Sequence, residues 1–203
     1  MVLKASFLKT CTIDNTVEIT QWLNTQLSER PQEDIASVLE VLDQYSDQTL
    51  SLDDGASLTP LMHVQALLTL GIEMSVDVMT LSVLALYPLQ SLQPERYAQL
   101  IEVGAVSEQI ARLDEVLKMD LLESYAALDG LDSAEHSDRL RRMLLAMVDD
   151  VRIVIVRLLI QLCALYRLKA LPTSQEAQHT ARMAQQLYAP LANRLGMRQI
   201  KWQ

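Results

Sequence analysis

Apolar residues recur with helical spacing along most of the chain, and the strongest pattern is the run from Arg141 to Leu171. Its apolar positions fall close to i, i+3/i+4 and i+7, the spacing of one face of a helix. This stripe consists of Met143, Leu144, Met147, Val151, Val154, Ile155, Leu158, Leu162 and Leu165. It is broadened by Ile153, Val156, Leu159, Ile160 and Cys163. A helix that is apolar on most sides is buried in a bundle or lies in a membrane.

Polar residues inside this run favour a bundle. Arg152, Arg157, Gln161 and Arg167 interrupt it, so that it lacks the uncharged stretch of about 18 residues that a membrane span needs. We therefore expect this helix to form the centre of an all-α, helical-bundle fold.

Capping and breaker residues divide the rest of the chain into further helical segments. The predicted helices are residues 14–28, capped by Asp14 or Asn15; a second from about Pro31; a third capped by Thr59 and running to about Ile72; a fourth capped by Asp77 that stops or kinks at Pro88; a fifth from Pro94 to Gly104; a sixth capped by Ser107 and ending before Gly130; and a last one capped by Thr173 or Ser174 and ending before Pro190. Residues 46–57 and 129–138 are polar and are predicted to be loops.

The first two helices have clear apolar faces. The positions expected to be buried are Val17, Ile19, Trp22, Leu23 and Leu27 on the first, and Ile35, Val38, Leu39, Leu42 and Tyr45 on the second. No segment alternates with period two for long enough to predict a strand, and the chain has only five glycines. It also contains no GxGxxG, GxxxxGK[ST], HExxH or CxxC motif.

The two cysteines, Cys11 and Cys163, are far apart in the sequence, and one lies inside the apolar run. This usage is typical of reduced thiols in a cytoplasmic protein rather than of a disulfide framework. The first residues, MVLKASFLKT, lack the apolar core and the small-residue cleavage site of a signal peptide. We therefore expect a cytoplasmic protein.

The net charge of −9 is unevenly distributed. Residues 1–60 carry ten acidic and three basic side chains, whereas residues 139–203 carry eleven basic and three acidic ones. Such asymmetry can mark a basic binding face. The arginines from 141 to 167 are interleaved with core positions, which favours acidic and basic halves that face each other or the solvent.

Two stretches, RRMLLAMVDDVRIVIVRL (141–158) and YAPLANRLGMRQIKW (188–202), resemble the N-terminal region of the RelA/SpoT family, which makes and degrades the alarmones (p)ppGpp. The resemblance extends more weakly through residues 63–89 and covers roughly residues 55–203, whereas residues 1–54 match only in being helical. It implies an HD-type helical domain. In hydrolase-competent members this domain binds a divalent metal, usually manganese, and removes the 3′-pyrophosphate of the alarmone.

The resemblance also implies which positions would bind the metal. The first histidine of the family falls at His63, its His-Asp pair at Tyr87 and Pro88, its Glu-Asp pair at Ser91 and Leu92, and its distant aspartate at Ile160. Only His63 keeps a ligand-type side chain, and by itself it is better explained as a structural histidine. The resemblance therefore implies a degenerate, hydrolase-inactive domain of the RelA type with no cofactor, whose former site is filled by packed side chains.

Other acidic and histidine residues have no ligand arrangement in the sequence. His136 lies in a polar loop and His179 on a predicted helix, and neither has a Cys, Asp or His at ligand spacing. Asp149 and Asp150 are adjacent, so on a helix their side chains would diverge by about 100°. We expect them to pair with Arg152 or Arg142.

The resemblance implies a regulatory and structural module of a RelA-type GTP pyrophosphokinase. Residues 1–195 would form the degenerate domain, and residues 196–203 would begin a linker or helix that leads to a synthetase domain. The expected partners are that synthetase domain and, through the full-length protein, the ribosome, with no membrane involved.

Two alternatives stay open. One is a sensor that binds ppGpp or another guanine nucleotide without hydrolysis, using Arg139, Arg141 and Arg142 on the phosphates. The other is an active manganese-dependent alarmone hydrolase, which would need a substitute set of ligands.

Overall fold

A computed structural model describes residues 11–30, 32–45, 59–104, 106–128, 139, 142, 150–169 and 174–197, and all regular elements among them are helical. The predicted all-α fold is confirmed. The chain divides into two compact units, with the boundary between Leu113 and Asp114. Within the described ranges, no helix combines the length and the apolar character that crossing a membrane requires.

The first unit is built around two apolar helices, α3 and α4. Its helices are α1 (Thr16–Gln26), α2 (Gln32–Leu42), α3 (Pro60–Glu73), α4 (Val78–Leu92) and α5 (Pro94–Val103). The next helix, α6 (Ser107–Leu128), contains the boundary residues. The described part of the second unit adds α7 (Val151–Leu168), α8 (Gln175–Met183), a π-helical turn (Ala184–Tyr188) and α9 (Ala189–Arg194).

The helices α1, α3, α4 and α8 each begin at a side chain that accepts a hydrogen bond from a backbone amide of the first turn, which satisfies one of the donors left open there. The bonds are Asn15 to the amide of Glu18 at 2.9 Å, Thr59 to Met62 at 3.1 Å, Asp77 to Thr80 at 2.7 Å, and Ser174 to Ala177 at 3.0 Å. The predictions for Thr59 and Asp77 are confirmed. Of the two paired alternatives, the caps are Asn15 and Ser174.

Polar groups fix the packing of the apolar helices in the first unit. The hydroxyls of Ser37 on α2 and Ser82 on α4 lie 2.8 Å apart. Gln65 of α3 is buried, and its side-chain oxygen accepts a hydrogen bond of 3.2 Å from the backbone amide of Ile13, ahead of α1. These bonds align segments whose apolar contacts alone are non-directional.

The predicted apolar faces are mostly buried, with three exceptions. Ile19, Leu23 and Leu27 are buried in and just after α1, as are Ile35, Val38, Leu42 and Tyr45 in and just after α2. Val17 was expected to be buried but is 63% exposed. Trp22 and Leu39 are half-buried. Val17 lies in the first turn of α1, on the side of the helix that faces the solvent.

The central helix is shorter than predicted. Asp150 has extended backbone (φ −118°, ψ 114°) and caps α7, because its carboxylate accepts a hydrogen bond of 2.9 Å from the amide of Arg152. A continuous helix through Asp150 is therefore wrong. The apolar spacing continues across a capping residue, so periodicity alone did not reveal the boundary. The first part of the predicted run, residues 143–149, lies outside the described residues, as do the predicted loops 46–57 and 129–138.

Two prolines do not end their helices. α4 continues past Pro88 to Leu92, so of the two predicted alternatives, a stop or a kink at Pro88, the stop is excluded. The last helix was expected to end before Pro190, yet helical backbone continues to Arg194. A π-helical turn precedes Pro190, and the amide of Ala189 donates to the carbonyl of Ala184, five residues back. This wider turn accommodates a proline, which has no amide hydrogen for the α-helical bond to the fourth preceding carbonyl.

Two features of the cysteine and glycine residues match expectation. Cys11 and Cys163 are buried and form no disulfide. Gly104 ends α5 in the left-handed conformation (φ 72°), which glycine adopts without strain.

Candidate functional site

His63 lies in the first turns of α3, after the Thr59 cap and Pro60. Its backbone amide donates to the Thr59 carbonyl at 3.1 Å, and its side chain is half-buried. Proline at the first helical position and threonine as the cap set this start, since both suit a helix N-terminus. The helix therefore holds the imidazole at a fixed place on the first unit.

The next four candidate positions lie on the last turns of α4. Pro88 is buried, Tyr87 and Leu92 are half-buried, and Ser91 is exposed. The Ser91 hydroxyl donates to the carbonyl of Tyr87 at 3.1 Å. A hydroxyl engaged by its own helix in this way satisfies a backbone acceptor. None of these four side chains is a carboxylate or an imidazole.

The last candidate position, Ile160, lies in the middle of α7 in the second unit and is 5% exposed. The following residue, Gln161, is also buried, and its amide nitrogen donates to the backbone carbonyl of Thr180 in α8 at 3.0 Å. Ile160 therefore belongs to the apolar interior of this unit. A hydrocarbon side chain there supplies no ligand to an ion.

The residues at these positions do not fit a divalent metal. Manganese and similar ions are bound by carboxylate oxygens and imidazole nitrogens, usually several at once. Tyr, Pro, Leu and Ile occupy the positions where the resemblance implies His and Asp, and His63 alone remains. Over the part of the chain that the structure describes, no three His, Cys, Asp or Glu side chains are grouped so that they could hold a metal ion.

The prediction that the former site is filled by packed side chains stays a prediction for the site as a whole. Pro88 and Ile160 are buried, which agrees with it, whereas Ser91 is exposed. Of the histidines outside the site, His179 is exposed on α8, and His136 lies outside the described residues.

The arginines proposed for phosphate binding are only partly described. Arg139 and Arg142 have helical backbone and exposed side chains, and Arg141 lies outside the described residues. Three arginines further along the chain pair with carboxylates instead. The N···O distances are 2.6 Å for Arg152 and Asp150, 2.5 Å for Arg157 and Asp120, and 2.6 Å for Arg167 and Glu176.

The pairing of Asp150 with Arg152 confirms the structural role expected for this aspartate, while Asp149 lies outside the described residues. The ion pair between Arg157 and Asp120 was not predicted from the sequence. The position of Arg157 inside an apolar run indicated that its charge must have a partner, because an unpaired buried charge is costly. Nothing in the spacing identified Asp120, which is on another helix, as that partner.

Comparisons with known proteins relate this chain to one domain family and to several proteins of similar name. Residues 39–198 match the HD domain family. A protein from Haemophilus influenzae named GTP pyrophosphokinase is 31% identical over 162 residues, which cover 79% of this chain and 20% of that protein. A protein of the same name from Photobacterium angustum is 29% identical over 202 residues, which cover 94% of this chain and 25% of that protein.

A third relative has a different name. A Synechocystis protein named probable guanosine-3′,5′-bis(diphosphate) 3′-pyrophosphohydrolase is 35% identical over 100 residues, which cover 47% of this chain and 13% of that protein. The chain thus spans about a fifth to a quarter of the length of the two GTP pyrophosphokinases from Haemophilus influenzae and Photobacterium angustum.

Proposed function

The chain belongs to the HD domain family and to the RelA/SpoT group within it, and from this premise we propose that it is a hydrolase-like domain without hydrolytic activity. In this proposal the domain is a regulatory and structural module of a longer protein with GTP pyrophosphokinase activity. That protein would transfer pyrophosphate from ATP to GTP or GDP in the stringent response. The module would act on the synthetase domain of the same chain in the cytoplasm, and the full-length protein would associate with the ribosome.

The observation that carries the proposal is the absence of metal-binding side chains at most of the positions that the resemblance implies as ligands. Pyrophosphate hydrolysis in this family depends on a divalent ion that polarises the phosphate and activates a water molecule. Tyr87 and Pro88 offer neither an imidazole nor a carboxylate on α4, and Ile160 offers none on α7. A single imidazole at His63 is too weak a ligand set to replace the hydration shell of the ion.

The physical chemistry of the substitutions also supports it. Carboxylates that face one another without an ion are costly to bury, because each must be neutralised or paired. Replacing them by hydrocarbon side chains removes that cost. It also stabilises the folded state by about 0.8 kcal/mol for each methylene group taken out of water. The burial of Pro88 and Ile160 agrees with this exchange.

A paired titration tests the proposal. The protein is titrated in a calorimeter with Mn²⁺ and, separately, with ppGpp, and the reaction mixture is analysed by chromatography for released pyrophosphate. The Synechocystis relative, whose name describes a hydrolase, is the positive control under the same conditions. We expect neither Mn²⁺ binding nor pyrophosphate release from the present chain.

The other outcomes have distinct meanings. Binding of ppGpp without release would replace the proposal by a nucleotide sensor, and Arg139 and Arg142, both exposed, would be the first residues to substitute. Release of pyrophosphate that depends on Mn²⁺ would contradict the proposal and require ligands other than those considered.

The regulatory part needs its own experiment. In a full-length protein, synthetase activity is compared with and without residues 1–195, in the presence and absence of ribosomes. A regulatory module changes the ratio of activity with ribosomes to activity without them. An unchanged ratio would mean that the domain has a structural role and no regulatory one.

A further inference from the structure

A cavity of about 370 Å³ lies between α7 and α8 of the second unit. Apolar side chains form most of its wall, and three polar residues complete it. The apolar residues are Leu162, Leu165, Leu168, Ala177 and Ala181, and the polar ones are Tyr166, Lys169 and Gln178. Small-molecule sites have volumes of about 300–1,000 Å³, so the cavity falls in their range. It is far larger than the voids left in a close-packed interior, which seldom exceed one water molecule.

Two side-chain links hold the walls of the cavity in place. The amide nitrogen of Gln161 on α7 donates to the carbonyl of Thr180 on α8 at 3.0 Å. Further along α7, Arg167 pairs with Glu176 near the start of α8, with an N···O distance of 2.6 Å. The later residue of α7 is therefore linked to the earlier residue of α8, so the two helices run antiparallel alongside the cavity. A site whose walls are fixed before a ligand arrives loses little affinity to reorganisation.

The sizes of the side chains explain the space between these links. α7 contributes leucines and a tyrosine to the shared face, whereas α8 contributes Ala177 and Ala181, which lie one helical turn apart. A methyl group extends too short a distance from its helix to close the gap. Water in such a space meets mostly hydrocarbon and makes few hydrogen bonds, so an apolar group that displaces it binds favourably.

Lys169 gives the cavity a positive charge. Its side chain is exposed, and the ion pairs found among the described residues do not include it. The nearby charges of Arg167 and Glu176 neutralise each other. A lysine ammonium is a point charge with three donors, which suits a single carboxylate. A nucleotide with several phosphates is bound by several cations, whereas the described lining residues include one.

We propose that the cavity between α7 and α8 binds a small amphiphile with one carboxylate, such as a medium-chain fatty acid. The hydrocarbon chain of the ligand lies against Leu162, Leu165 and Ala181, and its carboxylate lies beside the ammonium of Lys169. Because Lys169 is exposed, apolar contact supplies most of the affinity and the ion pair selects the sign of the charge. The site is confined to the second unit, and it does not depend on whether the domain regulates a synthetase.

A titration with octanoate tests the proposal. The ¹⁵N-labelled chain of 203 residues is titrated, and amide chemical shifts are followed by NMR. We expect saturable shifts that cluster at the residues of α7 and α8 lining the cavity. Octanol, which has the same chain length and no charge, should bind about twofold to fivefold more weakly. The proposal is overturned if octanoate gives no clustered shifts, or if the same shifts appear on raising the protein concentration alone, which would assign the cavity to a second copy of the chain.

Two leucine variants test the location. Ala181→Leu places a larger apolar side chain in the cavity and should weaken octanoate binding by roughly tenfold or more, because it occupies the space of the hydrocarbon chain. Gln175→Leu is the matched control, since Gln175 is exposed on the same helix and is not among the lining residues. It should keep the wild-type affinity. Thermal melts establish that both variants are folded, and a folded Ala181→Leu variant that binds octanoate as the wild type does would overturn the proposal.

Lys169→Gln tests the charge, and it does so without filling the cavity. It should weaken the binding of octanoate by about twofold to fivefold and leave that of octanol unchanged. An equal loss for the two ligands, or no loss for octanoate, would show that the carboxylate does not lie beside Lys169 and would overturn the assignment of an anionic ligand.

Discussion

Tyr45 joins the end of α2 to α4 through its hydroxyl. The side chain is 4% exposed, and the hydroxyl donates a hydrogen bond of 2.5 Å to the carbonyl oxygen of Ala85. Burial raises the pKa of the Tyr45 phenol well above its usual value. A phenolate could not donate this bond and would be poorly solvated there.

Stability should therefore depend on pH at the alkaline end. Below about pH 10 the phenol is protonated in both the folded and the unfolded chain, so Tyr45 adds no pH dependence. Above that value the unfolded chain loses this proton while the folded chain keeps it, so the free energy of unfolding falls as pH rises. Urea unfolding from about pH 8 to 11 should show this fall.

Tyr45→Phe is the matched variant, since it removes only the hydroxyl. It should unfold about 1 kcal/mol more easily near neutral pH, because the bond to Ala85 is lost. The gap to the wild type should narrow above about pH 10. Parallel curves for the two proteins across the range would assign the alkaline loss of stability to other groups.

The cap of α4 gives a second test at the level of one side chain. Asp77→Ala removes the acceptor for the amide of Thr80, which lies 2.7 Å away, and should lower the free energy of unfolding by about 1 kcal/mol. Asp77→Asn keeps an acceptor oxygen and should lose much less. Equal losses for the two variants, measured by urea unfolding, would show that the charge rather than the cap matters.

The contact between α3 and α4 leaves no room for a side chain at Gly71. A Cβ at this position would lie 2.7 Å from Cδ2 of Leu81 and 2.9 Å from Cδ1 of Leu84, and both leucines are fully buried. Overpacking a core costs about 1–3 kcal/mol. Alanine in place of glycine inside a helix returns about 1 kcal/mol. Gly71→Ala should therefore lower the free energy of unfolding by about 1 kcal/mol.

The cost of this substitution should fall when space is made. Leu81→Ala removes the nearest methyl group and should itself cost about 2–5 kcal/mol. In that background, Gly71→Ala should lower the free energy of unfolding by less than it does in the wild type, because the 2.7 Å contact is gone and only the 2.9 Å contact with Leu84 opposes the gain in helix propensity. A double-mutant cycle by urea unfolding gives the coupling, and additive effects would mean that the crossing of α3 and α4 is not limited by this contact.

At the scale of elements, starts of helices were more predictable than ends. Thr59 and Asp77 were identified because a capping side chain acts on its own first turn. The continuation past Pro190 was not predicted, and at Pro88 the choice between a stop and a kink was left open, since such outcomes depend on packing and on a π-turn that a single sequence does not display. The break at Asp150 was missed for the related reason that apolar spacing continues on both sides of the cap.

For the whole molecule, metal binding would appear as stabilisation of the folded state. An ion present at one hundred times its dissociation constant would add about 2.7 kcal/mol and raise the Tm by several degrees. If His63 is the only ligand-type side chain at the positions that the resemblance implies, Mn²⁺ should leave the Tm unchanged in a thermal melt. A rise that EDTA reverses would contradict this expectation.

The residues of the candidate site could be predicted from the sequence only where it resembles the motifs of the family. The resemblance placed His63, Tyr87, Pro88 and Ile160 by their neighbours in the sequence, and family membership is confirmed. The burial of each position and the Arg157–Asp120 pair required the folded chain, because they depend on residues distant in sequence. The predicted domain limits and nucleotide contacts stay predictions.

The hydrogen bond between Gln65 and Ile13 bears on how the protein can be shortened. A recombinant fragment trimmed to the first helix would start at Thr16 and would look complete by its secondary structure. It would lack the amide that Gln65 accepts from, and it would also lack the buried side chains of Cys11 and Ile13. An unsatisfied buried acceptor costs about 1–3 kcal/mol. The practical starting point for expression is therefore set by a glutamine in α3, and it lies before Cys11.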